Sequence, residues 1–295
     1  SGAAEPFVSR PSAVDAFLPI SALVALKGWW GTGMVDRIHP AGVAIFLAVV
    51  AVSVLFKKGF CSWICPIGTV SEALVRAGRR FFGRSLQPPN FLDFPLRGIK
   101  YLLLGLFAYM IPVAMAPEEA AAFLLTPYNR IADVKMLYFF TRPGPEIVAF
   151  LVALALISAL TPYFWCRYLC PYGALLGLAS LISPVRVARH PSRCVDCAAC
   201  TRACPNRIQV AQASTVSSPE CTGCLACVEA CPRQGALTLS AGSKSRAMPT
   251  WLFPVLLLGT FFGILLLFQA AGLWESGVTY TEYADLIPRA GQFSH

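Results

Sequence analysis

Charge is what this chain has least of. Only 13% of its 295 residues are Asp, Glu, Lys or Arg, against about 25% in soluble globular proteins. That excludes an ordinary soluble domain, and the apolar content excludes a disordered, charge-solvated chain. Histidine is scarce too: only His39, His190 and His295 occur. A b-haem between membrane helices usually takes two facing histidines. Only His39, in "RIHP" ahead of an apolar run, stands near one, and it reads as an interfacial residue. Acidic residues number 15 against 24 Lys and Arg, a net charge of +9. Eight of the basic residues fall in 57–100 and nine in 167–248. Clusters of this kind between apolar runs set membrane topology by the positive-inside rule, so nucleic-acid binding is the minor reading.

In excess is apolar sequence, with 56% hydrophobic residues and a mean hydropathy of +0.62. Four runs, 40–56, 98–116, 146–164 and 249–270, reach or approach the length that crosses a bilayer, roughly 17–25 helical residues. With the basic segments cytoplasmic, they run inward, outward, inward and outward, leaving the C-terminal tail periplasmic. A fifth stretch, "AFLPISALVALKGWW" from Ala16, is short and contains Pro19 and Lys27. It reads as re-entrant or interfacial, with Trp29 and Trp30 at headgroup level. Because the chain opens on Ser1 rather than Met, a signal peptide or first helix is expected to have been removed or left out upstream.

Eight of the 12 cysteines lie between 194 and 231. "CVDCAACTRACP" supplies Cys194, Cys197, Cys200 and Cys204, and "CTGCLACVEACP" supplies Cys221, Cys224, Cys227 and Cys231. Each is the C-x2-C-x2-C-x3-C-P run of bacterial ferredoxins, whose fourth cysteine ligates the other cluster. The spacing predicts one [4Fe-4S] cluster on Cys194, Cys197, Cys200 and Cys231, and a second on Cys221, Cys224, Cys227 and Cys204. Zinc would favour paired C-x2-C spacing and histidine. A disulfide framework would need an oxidising compartment.

The other four cysteines occupy a repeated unit. "GFCSWICPIG" and "FWCRYLCPYG" share Cys-x3-Cys-Pro-x-Gly, each at the end of an apolar run. Pro66 and Pro171 suit the first turn of a helix. The segments that follow read as helices along the inner membrane surface, the first with Arg76, Arg79 and Arg80 on its wet side. A cysteine at a helix N-terminus has a stabilised thiolate. Three readings stand for Cys61, Cys65, Cys166 and Cys170: one shared metal or iron–sulfur site, a redox dithiol in each pair, or small packing residues. The expectation is convergence into one redox or metal site at the cytoplasmic edge of the bilayer.

The predicted fold class is an α-helical membrane protein. It has about four transmembrane helices, a re-entrant or interfacial N-terminal segment, and an inserted α+β bacterial-type 2[4Fe-4S] ferredoxin domain. The expected organisation is an N-terminal periplasmic or interfacial segment at 1–39, a membrane domain at 40–185, the ferredoxin domain at 186–245, and a last helix with periplasmic tail at 246–295.

At "FCSWICPIG", "FWCRYLCPYG" and the two ferredoxin runs the chain resembles the membrane polyferredoxins grouped with NapH of periplasmic nitrate reduction, MauN of methylamine oxidation and the membrane half of NosR. The likeness covers most of 40–235. It implies a bacterial inner-membrane protein that moves electrons between a cytoplasmic or membrane donor, often quinol, and a periplasmic redox system. Its partners would be subunits of a redox complex or a periplasmic electron-transfer protein. The flavin-binding domain of the NosR type has no counterpart in these residues, which puts a flavin in doubt. On this basis the chain reads as an electron-transfer subunit rather than a stand-alone enzyme. The alternatives are a maturation factor that reduces metal centres or cysteines of a partner, and a scaffold whose clusters serve stability.

Overall fold

The computed structural model describes residues 10–83, 88–242 and 246–293. Residues 1–9 of the expected N-terminal segment, Arg84 and Lys244 of the basic segments, and His295 lie outside them. The chain divides into two compact units, Ser1–Ala48 with Phe107–Val148 and Gly263–His295, and Val49–Leu106 with Ala149–Phe262.

Most of the chain is helical. The apolar runs form α1 (Pro19–Thr32), α2 (Pro40–Leu55), α4 (Asn90–Tyr109), α7 (Pro145–Leu160) and α11 (Leu252–Ala270), with α3 (Pro66–Phe82) between α2 and α4. Two helical stretches, Phe91–Ala114 and Leu252–Ala270, are long and apolar enough to cross a membrane. The first includes a wide turn, Met110–Ala114, that continues α4. Of the four expected spans, the other two form helices of 16 residues each. The helix α6 (Ala132–Thr141) meets α7 at a 75° bend, and only the bent pair together passes as a span. The break falls at "RPGP", where Pro143 and Pro145 each remove a backbone donor.

In the first unit, α1 packs on α5 (Pro117–Leu124) through Val24, Ala25, Ala120 and Leu124, with Ile111 completing the cluster. Gly31 permits the approach, because a Cβ there would collide with the Pro117 ring. Lys27, which breaks the apolar pattern, donates from Nζ to the Pro112 carbonyl at 2.7 Å. The charge thereby satisfies a carbonyl of the wide turn. Trp30 is exposed and Trp29 half-exposed.

His39 does not sit at a surface: it is 2% exposed. Its Nδ1 lies 3.0 Å from Asp15 Oδ1 and its Nε2 2.6 Å from the Asn129 carbonyl. Arg10 bonds the same Asp15 at 2.8 Å and reaches Asp133 at 3.3 Å, and Tyr283 donates to Asp133 at 3.1 Å. Both ring nitrogens of His39 are engaged, which leaves neither for a haem.

In the second unit, β1 (Val185–Arg189), β2 (Leu237–Ala241) and β3 (Arg246–Met248) form an antiparallel sheet in that order. Val187 pairs with Leu239 and Arg189 with Leu237. Val185, Val187, Leu237 and Leu239 point one way and are buried, the period of two expected of a strand with one covered face. Short helices α9 (Ala199–Ala203) and α10 (Ala226–Glu229) lie in the cysteine-rich loops between β1 and β2.

Candidate metal centres

The eight cysteines of the two ferredoxin runs line two cavities. Cys194, Cys197, Cys200 and Cys231 enclose about 360 Å³ of space, part of it open to solvent. Cys204, Cys221, Cys224 and Cys227 enclose about 370 Å³. The fourth cysteine of each run thus stands with the first three of the other. Backbone geometry repeats between the two runs. Asp196 (φ 50°) and Gly223 (φ 63°) are equivalent, as are Ala198 (φ 53°) and Leu225 (φ 61°). Left-handed backbone at Ala198 and Leu225 is sparsely populated and costs on the order of 1–3 kcal/mol each. Here it reverses the chain between the second and third cysteines, so that three sulfurs face one space. No two of the 12 cysteines are joined in a disulfide.

Among the described residues, no three or more His, Cys, Asp or Glu side chains converge to hold a single metal ion. A lone tetrahedral ion at about 2.3 Å from each thiolate would draw four sulfurs tightly together. A cubane instead needs sulfurs set around a larger volume, which matches cysteines standing in the walls of a cavity. His190, beside the first run, bonds Thr238 Oγ1 at 3.0 Å.

The Cys-x3-Cys-Pro units are built alike. Cys65 precedes Pro66, the first residue of α3, and Cys170 precedes Pro171, the first of α8 (Pro171–Ala179). Cys170 Sγ accepts the Gly173 N–H at 3.2 Å. A Cβ on Gly68 would collide with the Cys61 carbonyl oxygen, whereas one on Gly173 would stand 3.5 Å from the Cys166 carbonyl. The four thiols are half-buried, and each lies within electrostatic reach of the other three. Ser71 Oγ approaches Cys166 Sγ at 3.9 Å. Burial pushes the Cys61 and Cys170 thiols above the ordinary cysteine value and the Cys166 thiol up to about 11, against the pull of Lys58. The helix N-terminus expected to favour a thiolate is outweighed at Cys170 by desolvation.

The helices after the two units differ. On α3, Ser71, Val75 and Gly78 are buried while Arg76, Arg79 and Arg80 are exposed, the amphipathic arrangement of a surface helix. On α8, Gly173, Ala174, Leu176 and Gly177 are buried. A Cβ on Gly177 would come within 2.9 Å of the Pro219 carbonyl, so α8 packs on the segment leading into Cys221 rather than lying free along a surface.

Both units grip the loops of the second cavity. Lys58 N donates to the Cys221 carbonyl at 3.4 Å, Ser62 Oγ to Thr222 O at 3.1 Å and Trp63 Nε1 to Gly223 O at 3.2 Å. From the other unit, Arg167 Nη1 donates to Asn206 O at 2.9 Å, two residues past Cys204. Charges reinforce the grip. Glu220 accepts from Lys100 at 2.5 Å and lies 3.6 Å from Lys58. Arg167 holds Asp93 through Nε and Nη2, each at 2.9 Å. Tyr168 adds a bond to Asp93 at 2.6 Å, and Arg97 a further one. Burial alone would raise the Glu220 carboxyl, but Lys58 and Lys100 hold it below its usual value.

Sequence reasoning did not single out Asp93, Glu220, Lys58, Lys100 or Arg167. The available signal was their chemistry in context: Asp93 is an acid in an apolar helix, and Arg167 and Tyr168 lie inside a cysteine motif.

A family model described as a 4Fe-4S binding domain matches 38–85 and 143–188, the two segments that carry the Cys-x3-Cys-Pro units. A second, described as a 4Fe-4S dicluster domain, matches 186–232. The putative electron transport protein YccM of Escherichia coli K12 is 41% identical over 98% of this chain and 82% of its own. The methylamine utilization ferredoxin-type protein MauN of Methylorubrum extorquens is 30% identical over 70% of this chain and 68% of its own. The chain belongs to the NapH/MauN/NosR-type polyferredoxins. NapH itself, a ferredoxin-type protein of Haemophilus influenzae, is 24% identical over 64% of this chain and 61% of its own. No solved structure matches the chain. As a polyferredoxin with two helical stretches able to cross a bilayer, it is a membrane protein with an electron-transfer role based on 4Fe-4S binding.

Proposed function

We propose that this polyferredoxin is a bacterial inner-membrane electron relay. Its ferredoxin domain, about 186–245, would lie on the cytoplasmic side and its C-terminus in the periplasm. Cys194, Cys197, Cys200 and Cys231 would hold one [4Fe-4S] cluster, and Cys221, Cys224, Cys227 and Cys204 the other. Each cluster, when bound, supplies a one-electron couple. Cys61, Cys65, Cys166 and Cys170 would form a third redox or metal centre. Mutual proximity supports this over two separate dithiols, because each of the four cysteines lies within electrostatic reach of the other three.

The observation that carries the reading is the grip of both Cys-x3-Cys-Pro units on the loops around Cys221 and Cys204. On this reading the Cys194 site would be outermost, the Cys221 site next and the Cys61, Cys65, Cys166 and Cys170 site last. From there electrons would pass to or from quinone or a partner subunit. A hydrocarbon core of about 30 Å is too wide for one tunnelling step, so a partner must complete any route across it.

Iron and sulfide quantitation with EPR on anaerobically purified protein tests this. About eight irons are expected for two clusters, and more if the membrane-edge cysteines hold a further cluster. Cys204→Ala should damage the Cys221 cluster and spare the other. Loss of the Cys194 cluster alone would refute the crossed ligation.

A further inference from the structure

The two cavities differ in what surrounds them. The Cys221 cavity is tied to the Cys-x3-Cys-Pro motifs, whereas the loop that carries Cys194 and Cys197 is exposed: Cys197 is exposed and Val195 is 51% exposed. Arginines frame that cavity. Arg189 and Arg233 line the cavity. Arg193 lays its guanidinium over Gly235, where φ is +75° and a Cβ would clash with Nη1. Arg202 is exposed on α9, the helix that carries Cys200. The acids nearby in sequence are Asp196, which Arg189 already engages at 3.2 Å, and Glu229.

We propose that this mouth is the docking port for a soluble acidic one-electron carrier protein, an inference that rests on the cluster reading above. An apolar residue at the centre with cations around it is the layout of a transient interface. Complementary charge steers such an encounter, raising association rates by about 10- to 1,000-fold, and loses force as salt rises. The carrier would be oxidised by one electron, and the centre that Cys194, Cys197, Cys200 and Cys231 would hold would be reduced by one. No proton moves and no bond forms or breaks. The Cys221 site is the poorer port, because Ser62, Trp63 and Arg167 already bond the carbonyls of its loops.

The test uses the full-length, cluster-loaded protein in phosphatidylcholine nanodiscs, with a plant-type [2Fe-2S] ferredoxin as the acidic probe. Association kinetics are measured by interferometry across a salt series. Arg193→Glu/Arg233→Glu should slow association about tenfold or more at low salt, with the difference vanishing as the Debye length shortens. Arg79→Glu/Arg80→Glu, on the exposed face of α3, should change it little. Arg202→Glu, whose side chain lines neither cavity, repeats the test if the double variant loses its clusters. Unchanged association, or equal loss in the α3 control, would overturn the proposal. So would abolition of ferredoxin binding by phosphatidylglycerol in the discs, which would assign the arginines to lipid. EPR on the same samples keeps the two ideas apart. Clusters missing from the unmodified protein sink the relay reading, while clusters present with unaltered association sink only the port.

Discussion

Replacing Asp93 by Asn should loosen the second Cys-x3-Cys-Pro unit from α4. Asp93 is 2% exposed and Arg167 3%. The carboxylate receives both arms of the Arg167 guanidinium at 2.9 Å and the Tyr168 hydroxyl at 2.6 Å. Removing one partner of a buried ion pair costs about 3–5 kcal/mol, chiefly because the other charge is left buried and uncompensated. Asn retains one acceptor oxygen, and Arg167 retains Asn206, so the loss should fall near the low end, about 3 kcal/mol. In a protein of this size that corresponds to a fall in Tm of roughly 6–12 °C. Thermal unfolding in detergent, followed with a thiol-reactive dye, measures it. A double-mutant cycle with Arg167→Gln should give a coupling of about 2 kcal/mol or more, since residues in direct contact are not additive. A Tm shift under about 2 °C, or strict additivity with Arg167→Gln, would refute the account of how this unit is held.

The two Cys-x3-Cys-Pro-x-Gly units should respond differently to the same change. Gly68→Ala forces a Cβ into the Cys61 carbonyl and should lower yield and metal content, whereas Gly173→Ala, with 3.5 Å of room, should be tolerated. Near His39, burial alone would lower the pKa, but the bond and charge of Asp15 raise it. A raised folded value contributes stability that is complete below the unfolded pKa of about 6.5 and lost as pH rises through the folded one. The Tm advantage of the unmodified protein over His39→Gln should therefore shrink as pH is raised above about 6.5; an advantage that grows would contradict this. A reporter fused after His295 should read as periplasmic and one inserted near Ser240 as cytoplasmic. Both on one side would mean the last helix is misread.

The ferredoxin runs were legible because cluster ligation is local: three thiolates within seven residues leave a spacing that little else produces. The repeated motif was legible for the same reason, down to proline at the first turn of α3 and α8. Helix ends were read less well. The apolar run predicted from 98 begins earlier, at Phe91, because Asp93 and Arg97 enter the helix as a bonded pair and Pro95 is tolerated near its start. The grip between motifs and ferredoxin loops was not legible. Asp93 and Arg167 meet across 74 residues, and Lys100 and Glu220 across 120. Such pairs carry no periodicity. Lys58, Lys100 and Arg167 looked like topology signals because a buried, paired cation and a headgroup cation are the same letter in a sequence.

The hydrogen bonds from Lys58, Ser62, Trp63 and Arg167 to the loops around Cys221 and Cys204 also bear on how the protein is made. A ribosome delivers Cys61 and Cys166 before Cys221 exists, so the Cys-x3-Cys-Pro loops are the older surface, and the ferredoxin loops would fold onto a template already made. Biogenesis then has a built-in sequence: insertion of the early helices first, closure of the inner pocket against them second. A chain that fails to insert would be left with its inner cysteines unformed into a pocket, and exposed to proteolysis before it could leak electrons.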